Sequence, residues 1–259
     1  MKALTDKYII LINTYVKVNL KYPLELFLKL IYLPIQLFMY IFLWKSLLSY
    51  DAFEFSYMIC YYLFVILLGY AFPFAHIATD IQSDVEGGIL SNFLVRPIGY
   101  IVPKVCKFIA WMVCYSVVFI PALIFVFFYG NIKPLNLLYF FVYLLIGLVV
   151  EFLLWYNVGL LALKIEKIRG AMTAFKALRM LASGSLIPIY LFPDILQGIL
   201  MYLPFKLYIY TPINVLLSGE SSEAFFLNIL TGIIWVMFLT LLAKIQWRSG
   251  IAKLQINIS

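Results

Sequence analysis

Two groups of residues in this chain have the types and spacing to do chemistry. The first is Glu151, the only carboxylate deep inside a long apolar run. An ionisable group in lipid is costly and usually faces a protein interior or a wet cavity, where it could meet cargo or carry a proton. A hydrogen bond to a neighbouring helix is the simpler alternative. The second is a polar break over residues 79–97, where Asp80, Asp84 and Glu86 surround the aliphatic pair Ile81 and Val85. The usual catalytic sets are missing from the sequence. It has no Gly-x-x-x-x-Gly-Lys-Ser/Thr phosphate loop and no His-Glu-x-x-His pair, and its single histidine, His76, stands without the companions that metal ligands normally have. No catalytic, cofactor-binding or metal-binding residue is therefore expected in this chain.

The elements that position these groups follow from composition. Of 259 residues, 65% are hydrophobic and only 12% are charged, which describes an integral membrane protein. The apolar runs are continuous for about 20 residues, the length a helix needs to cross the hydrocarbon layer, whereas a barrel would alternate polar and apolar positions. The expected fold is all-α and polytopic. The net charge of +7 does not point to nucleic acid, because Lys and Arg gather at the ends of apolar runs. Cys60, Cys106 and Cys114 all lie in apolar stretches without a Cys-x-x-Cys pair, as buried small hydrophobes do.

Along the chain, residues 1–23 carry spaced lysines among Ile, Leu and Val, suited to an interfacial helix over about 5–22. No removable signal peptide is expected there. Six spans are expected at about 24–48, 57–75, 104–129, 135–163, 180–193 and 224–243. Pro193, Gly198, Pro204 and Pro212 interrupt the apolar segment 194–212, which suits an outer re-entrant hairpin between the last two spans. No internal repeat supports an inverted-repeat transporter. The segments 1–23, 76–107, 164–179 and 244–259 hold 4, 3, 5 and 3 Lys or Arg, against only Lys45, Lys133 and Lys206 in the opposite loops. By the positive-inside rule both termini and the break at 79–97 are cytoplasmic. Within that break Thr79 and Gln82 have capping-box spacing, Ile81 and Val85 share a face, and Gly87 and Gly88 supply a stop, so a helix of about two turns is expected.

The run from Glu86 to Ile98, with Gly87, Gly88, Leu90, Arg96 and Pro97, resembles the Gly, Leu, Arg/Lys-Pro-Ile signature of a known family. That family is the membrane subunits of type-2 ATP-binding cassette (ABC) exporters, in a six-span subgroup without a fused ATPase. Ser183 to Pro188, Phe192-Pro193, Leu203 to Phe205 and Pro212 to Gly219 are similar to its proline-punctuated fifth span and hairpin. With the N-terminal helix and the span order, the similarity covers essentially the whole chain.

The resemblance implies a permease that lines a cargo path as a dimer, with itself or a sister permease, in a bacterial-type plasma membrane. It also implies separate cytosolic ABC ATPase subunits, which hold ATP and Mg. The segment 79–97 then corresponds to a coupling helix seated in an ATPase groove, with Asp80, Ile81, Asp84, Val85 and Glu86 as its docking residues. Rival classes are a secondary transporter using Glu151, a membrane receptor or scaffold without an ATPase partner, and a membrane-embedded enzyme. The spans are compatible with lipophilic drug, peptide, lipid or glycan as cargo.

Topology is directly testable. Single cysteines introduced by Ser91→Cys and Ser259→Cys should resist an impermeant thiol reagent added outside intact cells and react once the membrane is opened. Labelling from outside would overturn the assignment.

Overall fold

A computed structural model describes residues 2–21, 23–47, 52–71, 74–90, 99–129, 132–165 and 167–256. The signature residues Arg96 and Pro97 and the end of the tail at Ser259 lie outside these. The described residues form ten α-helices. They are α1 (Lys2–Leu20), α2 (Pro23–Leu47), α3 (Ala52–Ala71), α4 (Ala75–Glu86), α5 (Ile101–Tyr129), α6 (Pro134–Leu160), α7 (Arg169–Ala182), α8 (Asp194–Tyr202), α9 (Tyr210–Ser218) and α10 (Ser222–Ile256). No strand occurs among the described residues, in keeping with the all-α expectation. So apolar a chain offers its backbone few polar partners, and helices satisfy N–H and C=O groups within the segment.

The chain divides into two compact units, one of residues 1–73 and 97–132, the other of 74–96 and 133–259. In the first, α1 packs on α5, α2 on α3, and α3 on α5. Its core is aromatic: Tyr61, Tyr62 and Phe64 are fully buried, and the Tyr62 ring stacks on Tyr40 with centroids 3.9 Å apart.

The second unit is built around α6, which Pro134 opens at a position where a missing N–H costs nothing. From Tyr139 onward most of α6 is buried, against α4, α9, α10 and the 3-10 turn Pro204–Leu207, while Phe141, Leu145 and Val149 stay exposed along one side. Among the described residues, α6 with the 3-10 turn that follows it (Pro134–Leu163) and α10 (over Ser222–Lys253) are long and apolar enough to cross a membrane.

Helix ends depart from the expected spans where apolarity and helicity part company. The second predicted span, 57–75, is instead α3 at Ala52–Ala71, and Ala75 already belongs to α4. The last, 224–243, runs on through its basic tail to Ile256, because Lys244 onward contains no proline. The largest difference concerns 180–193, of which only the last residues of a helix, 180–182, and the 3-10 turn Ile189–Leu191 are helical. The helix lies earlier, at Arg169–Ala182, where Ile168, Met172, Phe175, Arg179 and Ala182 recur at helical spacing on its less exposed side. It stops at the Ser183-Gly184-Ser185 turn, with Gly184 at φ +82, a value that favours glycine.

The segment 194–212 is also more divided than a hairpin of two legs. Helix α8 is followed by the 3-10 turn Pro204–Leu207, and Pro212 sits inside the first turn of α9 rather than ending a helix. Helix α7 lies along the C-terminal half of α6, with Phe175 against Trp155. Helix α9 lies along the N-terminal half, from the approach of Tyr208 to Gly147 down to that of Gly219 to Asn136. At 1.5 Å per residue they are about 21 Å and about 14 Å long, so each covers part of a membrane-length helix and neither matches it alone.

Gly147 sets the fit of α6 to this break. A Cβ there would press on the Leu207 carbonyl oxygen and stand 2.7 Å from Tyr208 Cα, against backbone that cannot swing aside. Gly147→Ala should destabilise the protein by about 1–3 kcal/mol through overpacking. Gly198→Ala, in α8 with nothing within 4 Å, should be neutral or slightly stabilising. Thermal unfolding in detergent checks this, and equal melting temperatures for the two variants would refute the fit.

Candidate functional site

Helix α4 is the polar break folded. It begins at Ala75, a full turn before the expected cap, so Thr79 is not an N-cap. Its hydroxyl bonds back to the carbonyl oxygens of Ala75 (3.3 Å) and His76 (3.0 Å), and Gln82 donates to Glu86 Oε1 at 2.6 Å. The stop is built as expected from the two glycines. Gly88 takes φ +66, its N–H bonds to Val85 O at 3.2 Å, and Ile89 N–H bonds to Asp84 O at 3.0 Å, which together form a Schellman closure.

The orientation of α4 corrects one expected site residue. Ile77, Ala78, Ile81 and Gln82 are buried, and Ile81 is fully so. They lie on α6 at Gly159, where an added Cβ would be 2.6 Å from Ile81 Cδ1 and 3.0 Å from Ala78 Cα. Ile81 thus packs within its own chain and does not offer its side chain to a partner. Period alone identified an apolar face but not which neighbour it meets. Val85, Asp80 and Asp84 are half-buried at the flanks, and Glu86 is exposed. The outward stripe is His76, Thr79, Ser83 and Glu86, a different face from the one the aliphatic pair suggested.

Glu151 lies two turns of α6 away from Gly159 and is 1% exposed. Its Oε1 accepts from Arg179 Nε of α7 in a short ion pair and from Trp155 Nε1 at 2.9 Å. The Arg179 guanidinium also stands over the Tyr208 ring, 5.6 Å from its centroid, a cation–π arrangement. Tyr208 in turn meets Phe74, at the foot of α4, edge to face at 5.0 Å. Glu151 is thus hydrogen-bonded within its own helix and paired with a cation of α7. Sequence reasoning missed Arg179 by counting it with a solvated basic linker. The signal was available, since a lone buried carboxylate calls for a cation and Arg179 adjoins the next apolar stretch.

A second polar cluster also escaped the sequence. Near the other end of α6, Glu220 accepts from Tyr143 Oη (2.5 Å) and Asn228 Nδ2 (2.8 Å), and the buried Lys206 donates to Asn228 Oδ1 at 2.9 Å. It ties the 3-10 turn and the α9–α10 link to α6 and α10. Three other features share the opposite end of this unit. Helix α4 packs at Gly159, Lys253 Nζ donates to Lys164 O at 3.0 Å, and Gly250 meets Leu163. The basic segments 164–179 and 244–259 thus meet at the end where α4 sits.

Comparison with known proteins bears on what this arrangement serves. The model of the ABC-2 family transporter proteins matches residues 9–257. No curated protein matches the sequence. The chain belongs to the ABC-2 family of transporter proteins. It is the membrane permease component of an ABC transporter, in keeping with its apolar helices.

The buried pair has a stability signature. Arg179→Ala should cost about 3–5 kcal/mol by leaving the buried Glu151 without its cation, whereas Glu151→Gln/Arg179→Gln, which removes both partners, should cost clearly less than the sum of its single changes. Thermal inactivation of the singles and the double measures this. Additive losses would mean the two side chains do not interact.

Proposed function

We propose that this permease belongs to an ATP-driven exporter and couples to separate cytosolic ATPase subunits through α4. The observation that carries the reading is the two-sidedness of α4. One face is locked onto α6 at Gly159, so a displacement of the helix is felt by the core, and the stripe His76, Thr79, Ser83 and Glu86 is turned outward for a partner. Its closure by Gly88 leaves Ile89 exposed at the tip. ATP and Mg would be held by the partner, in line with the absence of a phosphate loop here.

The end of the second unit that carries α4 is cytosolic in this reading, and so are both termini of a six-crossing chain in a bacterial-type plasma membrane. The basic residues of 164–179 and 244–259 support that orientation. Two such permeases, identical or sister, would line the cargo path. ATP-driven closure of the ATPase pair pushes α4 and changes which side of the path is open. Glu151 is engaged by Arg179 and Trp155 in this state, which speaks for a structural part in that movement over a free proton site.

The decisive experiment is co-purification with a separate ABC ATPase subunit co-expressed with this permease. Ser83→Arg puts bulk and charge on the outward stripe without touching the α6 contact, so it should reduce ATPase recovery by about tenfold or more, the loss expected for a residue central to an interface. Ile89→Ala should have a smaller effect. Full ATPase recovery and normal ATP-dependent export with Ser83→Arg would overturn α4 as the docking element.

A further inference from the structure

Helix α4 and the residue before it touch, among their contacts, two separate elements of the unit that Arg179 links. Ala78 and Ile81 rest on Gly159 of α6, while Phe74 at its foot rests on Tyr208, in the turn that leads into α9. Arg179 stands between those two elements. Its Nε pairs with Glu151 of α6 and its guanidinium covers the Tyr208 ring. The contacts close into a ring running from α4 to α6, through the ion pair to α7, across the guanidinium to Tyr208, and back to α4 through Phe74. Arg179 lies in the last turn of α7, directly before the Ser183-Gly184-Ser185 turn where that helix breaks.

From this closed ring we infer that Arg179 is the positioning residue that carries displacement of α4 to the break after α7. A push on α4 moves α6 and the Tyr208 turn together, and both hold the same guanidinium, so the end of α7 follows. Phe175 also anchors α7, against Trp155 and Phe205, but it does so a turn further from the break and makes no contact with Tyr208 among those described. The ion pair is suited to this role because a buried charge cannot let go of its partner cheaply, which makes the link all-or-none. The inference rests on α4 being the element a partner moves, but its test moves α4 without any partner.

The test uses full-length protein in lipid nanodiscs, with Cys60, Cys106 and Cys114 replaced by alanine. Gly159→Val forces α4 away from α6, because even a Cβ meets Ala78 Cα at 3.0 Å. Gly159→Ala makes the same comparison with a smaller displacement should the valine variant fail to fold. Leu186→Cys, exposed just past the break, reports by its rate of reaction with a soluble maleimide, and Ser83→Cys reports on α4 itself. With the ion pair intact, displacement should change the Leu186→Cys rate by about threefold or more, within the range of measured coupling effects.

In Glu151→Gln/Arg179→Gln that response should vanish while the Ser83→Cys response persists. Arg179→Lys, which keeps the charge but loses the flat guanidinium, should give an intermediate response. Equal Leu186→Cys responses with and without the ion pair would overturn the inference, as would silence at Leu186→Cys in both. Neither outcome bears on ATPase docking, since no ATPase is present.

Discussion

The second unit depends on how closely backbone can approach one helix, α6. Two glycines on it, Gly147 and Gly159, replace side chain by open surface where the turn at Leu207 and Tyr208 and the α4 backbone come in. Glycine in a helix costs roughly 0.5–1 kcal/mol against alanine. The contact it allows is dense, and interiors gain their cohesion from many small dispersion terms that vanish across a gap. Gly232 and Gly250 on α10 do the same from outside, against Ile146 of α6 and Leu163 just past its end. α6 is thus closely packed on the sides where these glycines lie.

Within this unit charge is rationed to a few pairs. Glu151 is held by Arg179 and by a hydrogen bond from Trp155, and Glu220 by its tyrosine and asparagine donors. A buried ion pair does little for net stability, because desolvation offsets its attraction. Its effect is on which arrangement is allowed: only with Arg179 at the end of α7 does the buried Glu151 meet a cation. The two clusters sit at separate places along α6, so the C-terminal half faces α7 and α4 and the N-terminal half faces α9 and the start of α10.

Much of this was legible in the residues. Apolar runs of membrane length, the Gly87-Gly88 stop and the boundaries of α2, α5 and α6 all follow from local chemistry, which acts within a few residues. The family was legible too, from its glycine and proline punctuation. Contacts made at a distance were not. Ile81 and Val85 share a helical face, but only the fold reveals that this face meets Gly159. Arg179 reads as one more cation in a basic linker until α6 places Glu151 against it. Helix and apolarity part company around 180–193, because hydropathy marks that stretch as the apolar part while the helix-forming period belongs to the more polar stretch before it.

The interrupted path of α7 and α9 beside α6 has a consequence for how the protein is made. An inserting chain is sorted segment by segment, and a helix of 14 or 9 residues is too short to be released into lipid as a finished crossing. Its loose ends would also carry backbone groups with nothing to bind. Neither piece can settle before α6 is in place to receive it, and the buried carboxylate of Glu151 must wait for the same event to find its cation. Because α6 precedes both pieces in the sequence, it is made before them and is there to serve as their template.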